Sequence, residues 1–129
     1  MSTQDDVRRL ALELPEVVET TDHFGFSVMN GPKPRGFAWA WRERVHPKKA
    51  RIENPDVLAF RVADLGTKEL LLTSDRQKFF TEQHYDGFPA VLVRLDEVGT
   101  DELEELLTDA WICMAPRTLV REFEQQRQP

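Results

Sequence analysis

The sequence predicts an α+β fold of two layers, with helices packed on one face of a mostly antiparallel sheet. Three observations lead there. Apolar stripes at helical spacing lie near both ends of the chain, at Val7, Leu10, Ala11 and Leu14, and at Leu103, Leu106, Leu107, Ala110 and Trp111. Alternating strand-like segments cluster between them, joined by turn residues. Helices and strands do not alternate regularly, as a parallel βαβ sheet would require.

The first helix is expected from Gln4 to Leu14, with Thr3 as its N-cap and Asp5 and Asp6 suiting its positive end. Pro15 ends it. Phe24, Phe26 and Val28 then alternate with smaller or more polar residues, as in a strand with one buried face. Asn30-Gly31-Pro32 signals a turn. A second strand is expected over Gly36 to Arg44, with Phe37, Trp39 and Trp41 on one face and Ala38, Ala40 and Arg42 on the other. Val45 to Pro55 reads as a long charged loop, and Val57 to Val62 as the third strand of a meander. Two strands joined by such a tip have the form of a wing.

Asp64-Leu65-Gly66 leads into a short helix through Leu70, Leu71 and Leu72, after which Phe79 and Phe80 are expected to plug the core. Asp86-Gly87 marks a turn before a strand from Ala90 to Leu95. Thr100 is the expected cap of the strongest helix, which carries Asp101 and Glu102 in its first turn. Pro116 opens a last helix with Leu119, Val120 and Phe123 turned inward. The polar end, about 120–129, is expected to fray.

The 129 residues are expected to form one domain, 1–129, and 40% apolar with 31% charged content fits a globular chain rather than a disordered one. A lone cysteine, Cys113, allows no internal disulfide and suits a reducing compartment. The N-terminus lacks the layout of a signal peptide, and no apolar run approaches the roughly 18 residues of a membrane span. The expectation is a cytoplasmic protein without membrane contact.

The net charge of −6 argues against sequence-independent nucleic-acid binding, yet the charge is segregated. Lys33 to Arg51 carries +6 and the remainder −12. Lysine and arginine neutralise phosphates, so Arg42, Arg44, Lys48, Lys49 and Arg51 are candidates for a phosphate-contacting wing. Trp39 and Trp41 could offer stacking faces for unpaired bases. Against this, aromatic residues of a sheet usually point into the core, and the charges could simply solvate an edge strand.

A second constellation is Asp22-His23-Phe24-Gly25 and His84-Tyr85-Asp86-Gly87, two similar short loops each entering a strand. Carboxylate-oriented imidazoles can do acid-base work, so His23, His84 and Tyr85, with Trp41, are candidates for a small ligand pocket. The bland account of these loops is turns and caps. Cys113 reads as a packed, inert thiol. No histidine or cysteine pair has metal-ligand spacing. Gly31-Pro32-Lys33-Pro34-Arg35-Gly36 lacks the ending of a phosphate loop, and its prolines remove backbone donors. No cofactor and no catalytic residue is indicated. The acidic helix from Asp101 to Asp109 is expected to be a solvated outer face.

Leu14-Pro15-Glu16-Val17, Glu19, Asp22-His23-Phe24-Gly25 and Gly36-Phe37-Ala38 resemble the opening of the MmcQ/YjbR family of small bacterial proteins. Gly87-Phe88, the strand Val91 to Leu95, and Asp101 to Trp111 with Ala115-Pro116 agree with its C-terminal half. The resemblance covers about Val7 to Leu119. It implies a two-layer fold and a DNA-binding role through a double-wing arrangement, and it supplies no catalytic residues. The chain departs from many members at Asn30 to Pro34, rich in proline and glycine, and at the long basic stretch Val45 to Pro55.

The leading expectation is a non-enzymatic binding protein that touches nucleic acid, with DNA as the form the resemblance implies, through the basic hairpin. The alternative is a protein-interaction or small-ligand module using the His23 and His84 loops. Either is expected as a monomer or a weak homodimer, since the basic hairpin of one copy could meet the acidic helix of another.

Overall fold

A computed structural model describes residues 1–127. Thr3 caps α1 (Gln4–Leu12) as expected: it accepts the Asp6 N–H, while the Asp6 carboxylate accepts the Thr3 N–H at 2.9 Å. Hydrogen bonds to Thr3 hold the Asp6 carboxyl below its ordinary pKa. The strands are β1 (Val17–Glu19), β2 (Gly25–Asn30), β3 (Lys33–Glu43), β4 (Ile52–Arg61), β5 (Phe79–Phe80) and β6 (Ala90–Arg94). The helices after α1 are α2 (Leu65–Ser74), α3 (Thr100–Met114) and α4 (Arg117–Arg127). The strands form one sheet in the order β1-β2-β3-β4-β6-β5, antiparallel at every pairing.

One sheet face carries Phe26, Val28, Ala38, Ala40, Leu58, Phe60, Val91 and Val93 and packs against Val7, Leu10 and Ala11 of α1 and Leu103, Leu107, Ala110 and Trp111 of α3. Leu71 and Leu72 of α2 and Leu119, Val120 and Phe123 of α4 lean on the same core. The helices therefore lie on one face, as the periodicity predicts.

Several elements differ from expectation. The three-residue β1 and two-residue β5 are too short for alternation to reveal, and pairing with β2 and β6 defines them. Asn30 to Pro34 is not a loose insert. Asn30 pairs with Lys33 across a tight turn, where Gly31 takes φ +65°, a region that glycine enters without a Cβ clash. Pro34 is tolerated because β4 pairs with β3 only from Ala38 onward, leaving that edge of Pro34 unpaired. Ile52 to Pro55 belongs to β4 rather than to a loop.

Phe37 does not share a face with Trp39 and Trp41. A bulge between Phe26 and Ser27 leaves Phe37 as the extra residue of β3, so Phe37, Ala38 and Ala40 all join the main core. The two tryptophans face the other way. Gly99, not Thr100, is the N-cap of α3, with no side-chain bond. The expected frayed end is helical through Arg127, and residues 128–129 lie outside the described part.

Glu16 has φ 58°, in the left-handed region. It is held there from both sides: its carbonyl accepts the Met29 N–H at 3.0 Å, and the Pro15 carbonyl accepts the Trp111 indole N–H at 3.0 Å. A non-glycine residue there costs about 1–2 kcal/mol, against about 0.4–1 kcal/mol of added chain entropy for glycine. Glu16→Gly is therefore expected to stabilise the fold by about 0.5 kcal/mol, read as a raised urea midpoint. A lowered midpoint would mean that the Glu16 side chain contributes more than its backbone strain removes.

Candidate functional site

The register of the sheet makes an arm. β2 pairs with β3 only up to Trp39, and β6 pairs with β4 only from Val57. The rungs Trp41–Asn54, Arg42–Glu53 and Glu43–Ile52 therefore continue as a two-stranded ribbon without a third strand. Three residue rises carry it about 10 Å past the sheet, and residues 44–51 close it. Arg44 donates to the carbonyls of Pro47 and Lys49, both at 3.2 Å, and so holds the loop closed. Arg51 donates to the Arg42 carbonyl at 2.9 Å. Among the described residues, the Lys48 and Lys49 side chains make no ion pair or hydrogen bond, and both are exposed. Val45 and Ile52 add exposed apolar surface beside them.

This splits the basic window. Lys33 and Arg35 sit by the β2–β3 turn, about 30 Å and about 23 Å along β3 from Arg42, and cannot act with the arm as one patch.

The sheet face turned away from the helices carries a second apolar cluster. Val57, Ala59 and Leu92 form its floor, and Trp39, Trp41, Phe80 and Tyr85 lie half-buried over it. Trp41 meets Phe80 edge to face, with centroids 5.5 Å apart. Arg94 stacks on Phe80 with its guanidinium carbon 4.1 Å from the ring centre, and Arg61 stacks on Phe88 at 4.8 Å. Lys68 of α2, only 6% exposed, donates to the carbonyls of Tyr85 and Phe88, the latter at 2.9 Å. It thus fixes the 3₁₀ turn Gln83–Tyr85 and the loop that follows it.

Two recesses open beside these aromatics. The first, about 330 Å³, is lined by Asp22, His23, Trp39, Ala40, Arg42 and Tyr85. The Trp39 indole donates to the Tyr85 hydroxyl at 3.0 Å, which leaves the phenol proton free to donate. Burial pushes the Tyr85 phenol above its ordinary pKa. Asp22 holds the His23 ring at 2.9 Å through Nδ1, and the same bond draws the Asp22 carboxyl below its ordinary value, with Arg42 adding to the shift. A Cβ on Gly25 would come within 3.1 Å of His23 Nε2 and 3.3 Å of Thr20 Oγ1, so glycine lets the histidine close onto the strand.

The second recess, about 430 Å³, is lined by Trp41, Glu43, Arg44, Val45, Arg51 and Glu82. Glu82 lies 3.8 Å from the Arg51 guanidinium and 3.6 Å from the His84 ring, so one cation and one imidazole stand beside its carboxylate.

The four residues expected to share one pocket are placed differently. His23 and Tyr85 share the first recess and Trp41 lines the second. His84, mostly exposed, contacts Arg51 at 2.6 and 2.8 Å through its two ring nitrogens instead of facing His23. Cys113, expected to be packed, is exposed at the end of α3, and partial desolvation raises its thiol pKa. Among the described residues, no group of three His, Cys, Asp or Glu side chains is placed to hold a metal, and no helix is long and apolar enough to cross a membrane.

Sequence reasoning missed Arg61, Arg94, Glu82 and Lys68. Their roles depend on β4, β5, β6 and α2 meeting, and only the alternation of Val91, Val93 and Leu95 with Leu92 and Arg94 hinted at one of them.

The YjbR family model matches residues 12–113. The uncharacterized proteins Rv2570 of Mycobacterium tuberculosis and Mb2600 of Mycobacterium bovis are each 36% identical over 126 residues, spanning 95% of this chain and 96% of theirs. The crystal structure of Deinococcus radiodurans protein DR2400, a DUF419 domain, superposes with a TM-score of 0.69 at 24% identity, covering 96% of this chain and 89% of that one. That likeness shows the shared fold. Family model and relatives agree over nearly the same residues that carry the helix-backed sheet and its arm: the chain belongs to the YjbR family.

Proposed function

We propose that this protein binds nucleic acid without catalysing a reaction on it, and that the basic arm from Arg42 to Arg51 contacts the phosphate backbone. One observation carries the reading: the ribbon reaches beyond the sheet and presents Lys48 and Lys49 unpaired at its tip. Arg44 and Arg51 shape the arm through backbone carbonyls, and Arg51 is also paired with Glu82 at 3.8 Å. The segment Arg42 to Arg51 holds five basic residues and one acidic residue, Glu43, within a chain of net charge −6. The acidic remainder then keeps the rest of the surface off a polyanion and orients the arm toward it.

Fluorescence anisotropy with labelled DNA at about 50 mM and about 200 mM salt tests this. Lys48→Glu with Lys49→Glu is expected to weaken binding about tenfold or more at the lower salt and to reduce the salt slope by about 2, one for each phosphate contact. Unchanged affinity in that variant, or no binding by the native chain at low salt, would overturn the reading.

A small-ligand module is a second reading, favoured by the Asp22–His23 pair facing Tyr85 across one recess. Under it, His23→Ala would abolish ligand binding, and the arm variant would leave it intact.

A further inference from the structure

We infer that the sheet face opposite the helices is a stacking platform for two unpaired bases, one on Trp39 and one on Trp41, so that the chain prefers single-stranded to duplex nucleic acid. This rests on the nucleic-acid reading above and names the form of the ligand.

The spacing is the first argument. Trp39 and Trp41 stand two residues apart on β3 and face the same way. That places them about 6.6 Å apart along the strand, roughly twice the ~3.4 Å step between stacked bases of one DNA strand. Bases seated on both indoles are therefore unstacked from each other, which an intact duplex does not permit. An open strand permits it, and base–aromatic stacking tolerates any base because every base has a π-face.

The recesses are the second argument. Each tryptophan lines a separate one, of about 330 Å³ and about 430 Å³. Arginines line each recess, Arg42 beside Trp39 and Arg44 with Arg51 beside Trp41, together with carboxylates, Asp22 in the first and Glu43 and Glu82 in the second. A nucleotide has a flat apolar face and a charged phosphate, and each recess pairs a wall for the one with a cation for the other. Polar edges are available as well. The Tyr85 hydroxyl can donate in the first recess, and the Glu82 carboxylate can accept in the second, as carboxylates do from base amino groups. Glu82 does not repel the strand as a lone charge would, because the Arg51 guanidinium flanks it at 3.8 Å.

The layering is the third argument. The helices cover the opposite face, so a strand laid over the arm and continued onto the sheet meets the tryptophans. Phe80 is excluded as a third platform because Arg94 already covers its ring at 4.1 Å. Its part is to prop Trp41 edge-on.

The competing account is that Trp39 and Trp41 only roof Val57, Ala59 and Leu92. Leucine would keep that roof and lose the stacking, whereas phenylalanine would keep both. The experiment uses the full chain and a fluorescein-labelled oligonucleotide, either single-stranded or annealed to its complement, with anisotropy at about 50 mM and about 200 mM salt. The native chain is expected to bind the single strand about tenfold more tightly. Trp39→Leu and Trp41→Leu should each weaken single-strand binding about fivefold or more, the scale of one stacked base. Duplex binding and the salt slope should stay unchanged, and Trp41→Phe should restore most of the loss. Thermal melts of each variant identify any that fails to fold, in which case the phenylalanine variant and the native strand preference decide.

Equal affinity for both forms, with leucine variants indistinguishable from native, would overturn the platform. If Lys48→Glu with Lys49→Glu still weakened both forms, the phosphate-contacting arm would survive that result. No binding of either form at low salt would remove both proposals.

Discussion

Trp111→Ala is expected to remove about 3–5 kcal/mol of stability, a large share of the about 5–15 kcal/mol that a domain possesses. Trp111 has no solvent exposure and is the largest fully buried side chain. Its ring lies 4.9 Å from that of Phe123, so it joins α3 to α4. Its indole N–H donates to the Pro15 carbonyl at 3.0 Å and so ties α3 to the strained turn after α1. Alanine leaves a cavity where three elements meet and frees that carbonyl. Urea unfolding followed by far-ultraviolet circular dichroism measures the loss as a lower midpoint. Trp111→Phe fills most of the volume and loses the hydrogen bond, and a cost of about 1–2 kcal/mol is expected. A loss under about 1 kcal/mol for the alanine variant would mean that α4 collapses into the cavity and that this junction is not a rigid support.

Lys68→Met is the second large effect, about 2 kcal/mol. Hydrogen bonds from a charged donor contribute about 1.5–3 kcal/mol, and relief of the ammonium's desolvation offsets part of that. The consequence reaches the candidate site. Lys68 binds the carbonyls at both ends of the Tyr85–Phe88 segment, and Tyr85 forms one wall of the first recess. Methionine should therefore speed hydrogen exchange at the Phe88 and Ala90 amides, which bond to those carbonyls, before it affects the amides of β4. The pH dependence has a definite sign. Burial depresses the Lys68 pKa below its ordinary 10.5, with Asp86 opposing weakly. Between the depressed value and 10.5 the unfolded chain binds more protons, so this group makes stability rise with pH across that window. The methionine variant should lose that rise. If its stability followed the native pH curve, Lys68 would not be buried as described.

Periodicity and capping chemistry were enough for the elements whose evidence is local. The stripe at Val7, Leu10 and Ala11 with Thr3 as N-cap marked α1, the stripe from Leu103 to Trp111 marked α3, and both helices pack where the stripes face. Charge segregation gave the basic hairpin, and the family pattern emerged from short motifs in their order. Faces along β3 were not legible, because alternation assigns them only where the ladder is unbroken. The bulge at Phe26 and Ser27 turned Phe37 into the helix-covered core, leaving Trp39 and Trp41 on the open face.

The leucine run of α2 does not show which side chain is buried: Leu71 and Leu72 lean on the core, but Leu70 does not. Leu70 is 72% exposed, while Lys68 is the buried residue, because the carbonyls waiting for it belong to a loop 17 to 20 residues further on. By itself, then, the sequence determined the helices, the antiparallel class and the basic segment, since local spacing, turn residues and charge order suffice for them. Tertiary structure alone decided where pairing stops along β3 and β4. That decision frees the arm, parts Lys33 and Arg35 from it, and sets Arg94 of β6 and Glu82 beside aromatics of β5 and β3, because hydrogen-bond register between distant segments is a property of the closed sheet and not of any one strand.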